Sequence, residues 1–482
     1  MANRIIETDY LVVGAGAAGL AFADALTTDS DARVILVDRR HGPGGHWNDA
    51  YPFVRLHQPS AFYGVNSLPL GEDAIDQQGP NAGYYERASG PEIVGYFRRV
   101  MDQRLLPSGK VRFFPNCEYL GEHRFVSRLS GDTYEVKVAK KLVDARYLEP
   151  SIPANEDPPF EVAKGVRCIP INGLVGITEP AERYVVIGGG KTGIDSCLWL
   201  LENGVPPDAI CWIRPRDSLL ANRRYFQPGD LAFEGFSLLV EAAAQAEDND
   251  DFVDRAIEAG QFYPLDESVR PTMFRYATVS QLELDQLRSI KSVVRLGHVR
   301  RIDGYQIVLE HGTVPANRGD LYVHCAASGL RLAPGVPIFD ADTITLQAIR
   351  TVASPFAAAV TGFIEATRDD TDEKNKLCPP NPYMDRPSDL ARSTLVAMDA
   401  NYQWSKHPDI MAWLDRARLN PIRGILQRGD EPGVQQSMVR FMTHTRSAIL
   451  NLRRFVAGDV PPTRRAANLP RTNSHLMARI ST

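Results

Sequence analysis

The sequence predicts an α/β fold with two Rossmann-like dinucleotide-binding units and a mostly helical insertion. Three observations predict it. A glycine string, Gly14-Ala15-Gly16-Ala17-Ala18-Gly19, lies between two apolar runs at 9–13 and 33–38. A second string, Gly188-Gly189-Gly190-Lys191-Thr192-Gly193, lies between runs at 183–187 and 209–214. The stretch 217–290 is polar and largely helical in periodicity. Each glycine string follows a β-branched run of strand character and opens a segment of helical spacing, with a second strand about 20 residues on.

The two strings end in opposite charges. In such a unit the first glycine makes the tight turn and the second admits a pyrophosphate close to the backbone. The third lets helix and strand pack closely, with the diphosphate at the helix N-terminus. The first-unit candidates are therefore Gly14, Gly16, Ala18 and Gly19, with Asp38 and the adjoining Arg39 at the end of the second strand. Asp38 lies about 24 residues after Gly14, where a carboxylate accepts from an unphosphorylated ribose. The second-unit candidates are Gly188, Gly190, Lys191, Thr192 and Gly193, followed by Arg214 and Arg216. Arginine at that place attracts a 2′-phosphate, and Lys191 is placed to reach a diphosphate as a point charge. The basic run Asn222-Arg223-Arg224 is either an extension of this phosphate site or a solvated surface. The first unit thus reads as an FAD site and the second as an NADPH site.

Between and beyond the units the chain follows in order. The stretch 41–70 is glycine- and aromatic-rich without periodicity. A helix over 91–106 begins with proline in its first turn, a strand is expected at 111–115, and alternation over 119–143 predicts antiparallel hairpins. Four prolines in 149–160 mark a crossing segment. Within the insertion, helices are expected at 238–259 and 279–290. Strands resume at 292–296, 306–309 and 321–324, and helices at 390–398 and 434–455. The acidic run 368–376 lacks the glycine spacing of a calcium loop and reads as an exposed loop.

Composition limits the function classes. The chain has 482 residues, 44% hydrophobic and 23% charged, which suits a globular protein of two or three domains. A net charge of −5 argues against nucleic acid as the main partner, and the basic C-terminal arginines lack interleaved aromatics. Six scattered cysteines show neither metal nor redox spacing and suit a reducing compartment. The first strand starts too early for a signal peptide, and the longest apolar run, 352–364, is short and holds Pro355. A cytoplasmic protein with no metal, nucleic-acid or membrane partner is expected, and the oligomeric state is unreadable.

Two such units in one chain resemble the two-dinucleotide-domain flavoproteins, which include disulfide reductases and NADPH-dependent flavin monooxygenases. The resemblance spans most of residues 8–365 and is strongest at the two glycine strings, at Gly44-Gly45-His46-Trp47, and at Ala326-Ala327-Ser328-Gly329-Leu330. It implies a discontinuous FAD domain: 1–175 and 326–482, with the C-terminal helices, around an NADPH domain at 176–325 that carries the insertion at about 217–290. Disulfide reductases need two cysteines beside the flavin. One subgroup has such a pair after a Gly-Gly, where this chain has His46 and Trp47. Gly44-Gly45-His46-Trp47-Asn48 followed by Tyr51-Pro52 instead looks like a stretch of class B monooxygenases, flavin-containing and N-hydroxylating enzymes among them. The F-x-G-x-x-x-H fingerprint of flavin-containing and Baeyer–Villiger enzymes is missing, since 160–170 contains no histidine.

The resemblance implies an FAD-dependent, NADPH-consuming monooxygenase that uses molecular oxygen, through a flavin C4a-hydroperoxide, on a small-molecule substrate. N-hydroxylation is slightly favoured, with Baeyer–Villiger or sulfur oxidation behind it. An NADPH-dependent flavin reductase or dehydrogenase without oxygen transfer is the alternative, and a flavin-binding regulatory protein the third class. Gly45, His46, Trp47 and Ser328 join the cofactor candidates. His57, Asn48 and Gln58 are the catalytic candidates: His57 for its pKa range, the two amides as donors to the reacting centre.

Overall fold

The structure, a computed structural model, describes residues 3–327, 329, 331–350 and 353–458. Ser328 and the arginine-rich segment after residue 458 lie outside the described residues.

Two sheets carry the nucleotide units. The first has seven strands. Val111–Phe114, Val34–Val37, Asn3–Val13 and Thr133–Asp144 lie side by side in parallel. Beyond them, Thr133–Asp144 pairs antiparallel with Arg124–Ser127 and parallel with Thr343–Thr345, and Cys117–Gly121 closes the hairpin edge. Val34–Val37 is buried at every residue, as expected for a parallel strand covered on both faces. The second sheet is a parallel five-stranded array: Ser292–Val294, Ile210–Ile213, Arg183–Ile187, Asp320–His324 and Cys168–Pro170.

The chain enters the second sheet ahead of the expected crossing at residue 175. Cys168–Pro170 is already one of its strands, and Glu161–Val162 pairs with Val299–Ile302 in a small four-stranded sheet beside it. It returns to the first sheet at Thr343–Thr345. The helices Ala17–Asp29 and Ser354–Thr367 then pack so closely that a Cβ on Gly362 would stand 2.7 Å from the Phe22 carbonyl oxygen. On the same helix, buried Phe356 packs on Trp404 and Phe363 on Trp413, each contributing about 1.5–3 kcal/mol of apolar burial.

The helix predicted over 91–106 is present: Gly90–Val100 is α, with a capping box from Ser89 and Glu92, and a π turn at Met101–Leu105 and a 3-10 turn at Leu106–Ser108 continue it. Three local expectations are corrected. The helix predicted over 238–259 is two helices, Asp230–Gln245 and Asn249–Glu258. Asp248 interrupts it by accepting from the Asp251 amide at 2.9 Å. The insertion also contains a three-stranded sheet, Phe262–Pro264, Leu219–Asn222 and Thr278–Val279, so it is not purely helical. The acidic run is not a loop: Thr371–Leu377 is helical, capped by Asp370. Its Lys374 is buried against Glu365 at 2.6 Å, and Glu365 also accepts from the Tyr10 hydroxyl at 2.8 Å.

Candidate functional site

The first glycine loop opens onto a cleft of about 560 Å³, within the usual range for small-molecule sites. Gly14 has φ +108°, and Gly16 stands just before the first turn of Ala17–Asp29. A Cβ on Gly19 would stand 2.0 Å from the Gly14 carbonyl oxygen, and one on Gly45 2.9 Å from Gly16 Cα. At these close approaches neither loop has room for a side chain. Gly14, Gly16, Ala18, Asp38, Arg39, Gly45 and His46 all line it. Asp38 is buried and accepts from the Ala15 amide at 2.7 Å and the Arg40 amide at 2.8 Å. Burial pushes its carboxyl up from the usual range, against the pull of these two amides and of the Arg40 charge. Arg39 is exposed and paired with Glu149 at 2.7 Å. Tyr63, Gln347, Ser354 and Tyr383 complete the wall, and no sequence motif marked them.

The 3-10 turn Gly45–Asn48 sets the inner end. Trp47 Nε1 donates to the Tyr63 hydroxyl at 2.7 Å. The Asn48 amide donates to the carbonyls of Pro43 at 3.2 Å and Gly45 at 3.0 Å, so its hydrogens brace its own loop. Burial, helped by the Arg40 charge, pulls the His46 pKa down to about 4.

The second loop repeats the geometry. Gly188 has φ +135°, Gly190 precedes Lys191–Glu202, and a Cβ on Gly193 would stand 2.1 Å from the Gly188 carbonyl oxygen. Trp212 Nε1 also donates to that carbonyl at 2.8 Å. The expected arginines diverge. Arg214 is buried, lies 4.9 Å from the Trp212 ring centroid and pairs with Asp217 at 3.2 Å. Arg216 is partly exposed and its own carbonyl oxygen packs on Gly189. Asn222-Arg223-Arg224 divides: Arg223 is buried against Glu283 at 2.5 Å, whereas Arg224 is exposed, as a solvated run would be, and faces Glu234 at 3.5 Å.

Between the loops lies a buried charged junction. Lys191 pairs with Asp195, which also accepts from the Tyr51 hydroxyl. Burial pulls Lys191 below the usual lysine range, and Asp195 opposes this. Arg87 and Arg223 converge on Glu283 at 3.1 and 2.5 Å. His57 sits among them, its Nδ1 accepting from the Thr278 amide at 3.2 Å. Burial, then the charges of Lys191, Arg223 and Arg87, hold its pKa well below 6.5. A neutral imidazole whose Nδ1 accepts carries its proton on Nε2. Gln58 is half-buried beside it. Tyr51 belongs to the Tyr-Pro step of the first-unit motif, but no motif marked Arg87, Asp195 or Glu283, which meet it only through the fold.

The low imidazole pKa values have a consequence for stability. In the unfolded chain these histidines bind protons below about pH 6.5, whereas in the folded chain His46 and His57 do so only at lower pH. Their contribution is full above that value and is lost as pH falls toward His46's folded pKa of about 4. A gap of one pH unit between the folded and unfolded pKa corresponds to about 1.4 kcal/mol. Urea unfolding should show stability dropping by about 1–3 kcal/mol from about pH 7 to about pH 5. His46→Gln should flatten that slope, and an unchanged slope would refute the assignment.

All six cysteines are free, and burial raises Cys168 to about 11 and Cys325 to about 12. Neither offers a thiolate at neutral pH. No helix among the described residues is long and apolar enough to cross a membrane.

Residues 12–66 match the family model described as an NAD(P)-binding Rossmann-like domain. The Mycobacterium tuberculosis protein Rv2000, itself described as uncharacterized, is 48% identical over 443 residues, covering 90% of this chain and 82% of that one. The probable FAD-binding monooxygenase AlmA of Acinetobacter baylyi is 26% identical over 253 residues, 47% of each chain. Among solved structures, an oxidized steroid monooxygenase bound to NADP is 14% identical with TM-score 0.46, over 77% of this chain and 85% of that one. The chain belongs to the same family as the mycobacterial protein, and it carries two Rossmann-like parallel sheets, each with its own glycine loop.

Proposed function

We propose that the chain is an FAD-dependent, NADPH-consuming monooxygenase that transfers one atom of molecular oxygen to a small molecule. The observation that carries this reading is the pair of glycine cradles of unlike terminal charge. They are joined by a buried junction in which no cysteine pair stands ready to take electrons. The names of two more distant relatives, AlmA and the FAD-dependent monooxygenase resA of Aspergillus sclerotiorum, support oxygen transfer.

Gly14, Gly16, Ala18 and Gly19 hold the FAD diphosphate against the N-terminus of Ala17–Asp29, with Asp38 toward the ribose. Gly188, Gly190, Thr192 and Gly193 do the same for NADPH, with Lys191 and Arg216 as its cations. Bound FAD supplies the redox chemistry, taking a hydride from NADPH and reacting with oxygen. Trp47, tied to Tyr63, closes the inner end of the cleft to water. His57 is a neutral donor through Nε2 near neutral pH, so it orients an acceptor atom and does not carry a proton. Asn48 shapes the loop that backs the cleft.

The substrate assignment that fits best is an amine, oxidised to a hydroxylamine. It follows from the histidine-free segment 160–170, which forms strands of the second sheet and its small neighbour where the Baeyer–Villiger fingerprint would stand. The reading is tested by giving FAD-loaded protein NADPH, isotopically labelled dioxygen and a panel of amines, ketones and sulfides. Label is expected in an amine product. Hydrogen peroxide equal to the NADPH consumed, with no labelled product from any member, would instead establish a reductase.

A further inference from the structure

Arg216 is not open to solvent as a free cation. Its Nη1 donates to the two carboxylate oxygens of Asp385 at 3.0 and 2.8 Å, and its Nη2 to the Asp385 carbonyl at 3.0 Å. Arg275, from the insertion, donates to the same carboxylate through Nε at 2.9 Å and Nη2 at 2.7 Å. The three side chains come from separate parts of the chain: the end of the second nucleotide unit, the insertion, and the C-terminal part. All three are partly exposed, at 28%, 30% and 26%. Arg216 packs its carbonyl on Gly189 of the second glycine loop. Arg275 borders a cavity of about 430 Å³ that Arg331, Ser151 and the carboxylates Glu149 and Glu156 also line.

We propose that Arg216 and Arg275 together form the 2′-phosphate subsite of the second nucleotide, and that Asp385 is its resident counter-ion, displaced when NADPH docks. The proposal rests on the NADPH reading above and assigns it a subsite and a competitor. Two guanidinium forks on one carboxylate are the arrangement that a phosphate matches better. Phosphate offers a third oxygen and up to twice the charge, and both forks can bind it in two-point fashion. Ion pairs this exposed are weakened by solvent, so the carboxylate is exchangeable. Arg214 does not belong to the subsite, because it is buried and committed to Asp217 and Trp212. The two arginines set the specificity and Asp385 tempers it, since the phosphate must displace the carboxylate, whereas a dinucleotide without the phosphate leaves the pair closed.

Calorimetric titration of the FAD-loaded protein with NADP⁺ and with NAD⁺ tests this in wild type, Asp385→Asn and Arg275→Gln. Asp385→Asn is expected to bind NADP⁺ about three- to tenfold more tightly, with NAD⁺ unchanged. Arg275→Gln is expected to weaken NADP⁺ about tenfold and to leave NAD⁺ alone, and it carries the test by itself if Asp385→Asn does not fold. Equal NADP⁺ affinity in Asp385→Asn and wild type, or a matching gain for NAD⁺, overturns the counter-ion. Unaltered NADP⁺ binding in Arg275→Gln overturns the subsite. A wild-type protein that holds NAD⁺ as tightly as NADP⁺ overturns the NADPH reading itself, a result distinct from the other two.

Discussion

Gly19→Ala is expected to yield protein without bound flavin. The added methyl would stand 2.0 Å from the Gly14 carbonyl oxygen, 3.2 Å from its carbon and 3.3 Å from Ala145 Cβ. That carbonyl has little room to retreat. The Gly14 amide is fixed to the Val37 carbonyl at 2.8 Å, and the Ala145 amide to the Val13 carbonyl at 3.0 Å, so both neighbouring strands hold the turn. Overpacking of this kind costs about 1–3 kcal/mol where neighbours yield, and more where they are backbone. The displaced atoms are those that line the diphosphate cradle, so cofactor retention should fall before the fold does. Flavin absorbance per mole of purified protein, with reconstitution by added FAD, reads this directly. Gly95→Ala is the control: its Cβ meets nothing within 4 Å on a regular helix, and it should keep full flavin while gaining about 0.5–1 kcal/mol. Full flavin occupancy in Gly19→Ala would show that the loop yields and that its glycine is dispensable.

The contrast between these glycines explains what could be read in advance. The two nucleotide units were legible because their signal is local: turn, helix start and strand lie within about 25 residues and each glycine has a steric cause. Charge at the end of the second strand was legible only as a class. Arg214 and Arg216 are two positions apart, yet one turns inward to Trp212 and Asp217 and the other outward to Asp385, because the strand ends at Ile213 and the chain bends at 215–216. Nothing near them in sequence announces Asp385 or Arg275. The acidic run at 368–376 failed for a related reason. Its acids Asp369, Asp370 and Asp372 are exposed as expected, but the run forms a helix that buries Lys374, and its match to Glu365 is what permits that burial. His57 was singled out for a titration near neutral pH. Burial first, and then three cations from residues 191, 223 and 87, reverse that expectation.

Glu283→Gln should produce the largest loss of stability without touching either glycine loop. Glu283 accepts from Arg87 Nη2 at 3.1 Å, from Arg223 Nη2 at 2.5 Å and from the Ser280 amide at 2.9 Å. Burial raises its pKa, but Arg223 and Arg87 outweigh this and hold the carboxyl below the ordinary range. The amide keeps the shape and, through its remaining oxygen, the Ser280 cap, but it removes the charge and turns a donor NH2 toward the Arg87 guanidinium. Arg223, 1% exposed, and Arg87 would then face each other with no shared anion, and Arg223 Nε and Nη1 already lack partners among the described residues. Breaking a buried pair in this way costs about 3–5 kcal/mol, because a desolvated charge is left uncompensated. The comparison is Glu267→Gln, whose partner Arg288 stands at 2.8 Å but whose own side chain is 75% exposed. There the expected loss is below about 1 kcal/mol. Urea unfolding of both variants, followed by fluorescence, separates the cases. Equal losses would mean that the junction is as well hydrated as the surface. In that event the low pKa of His57 would lose its physical cause, and near neutral pH the imidazole would be free to carry a proton after all.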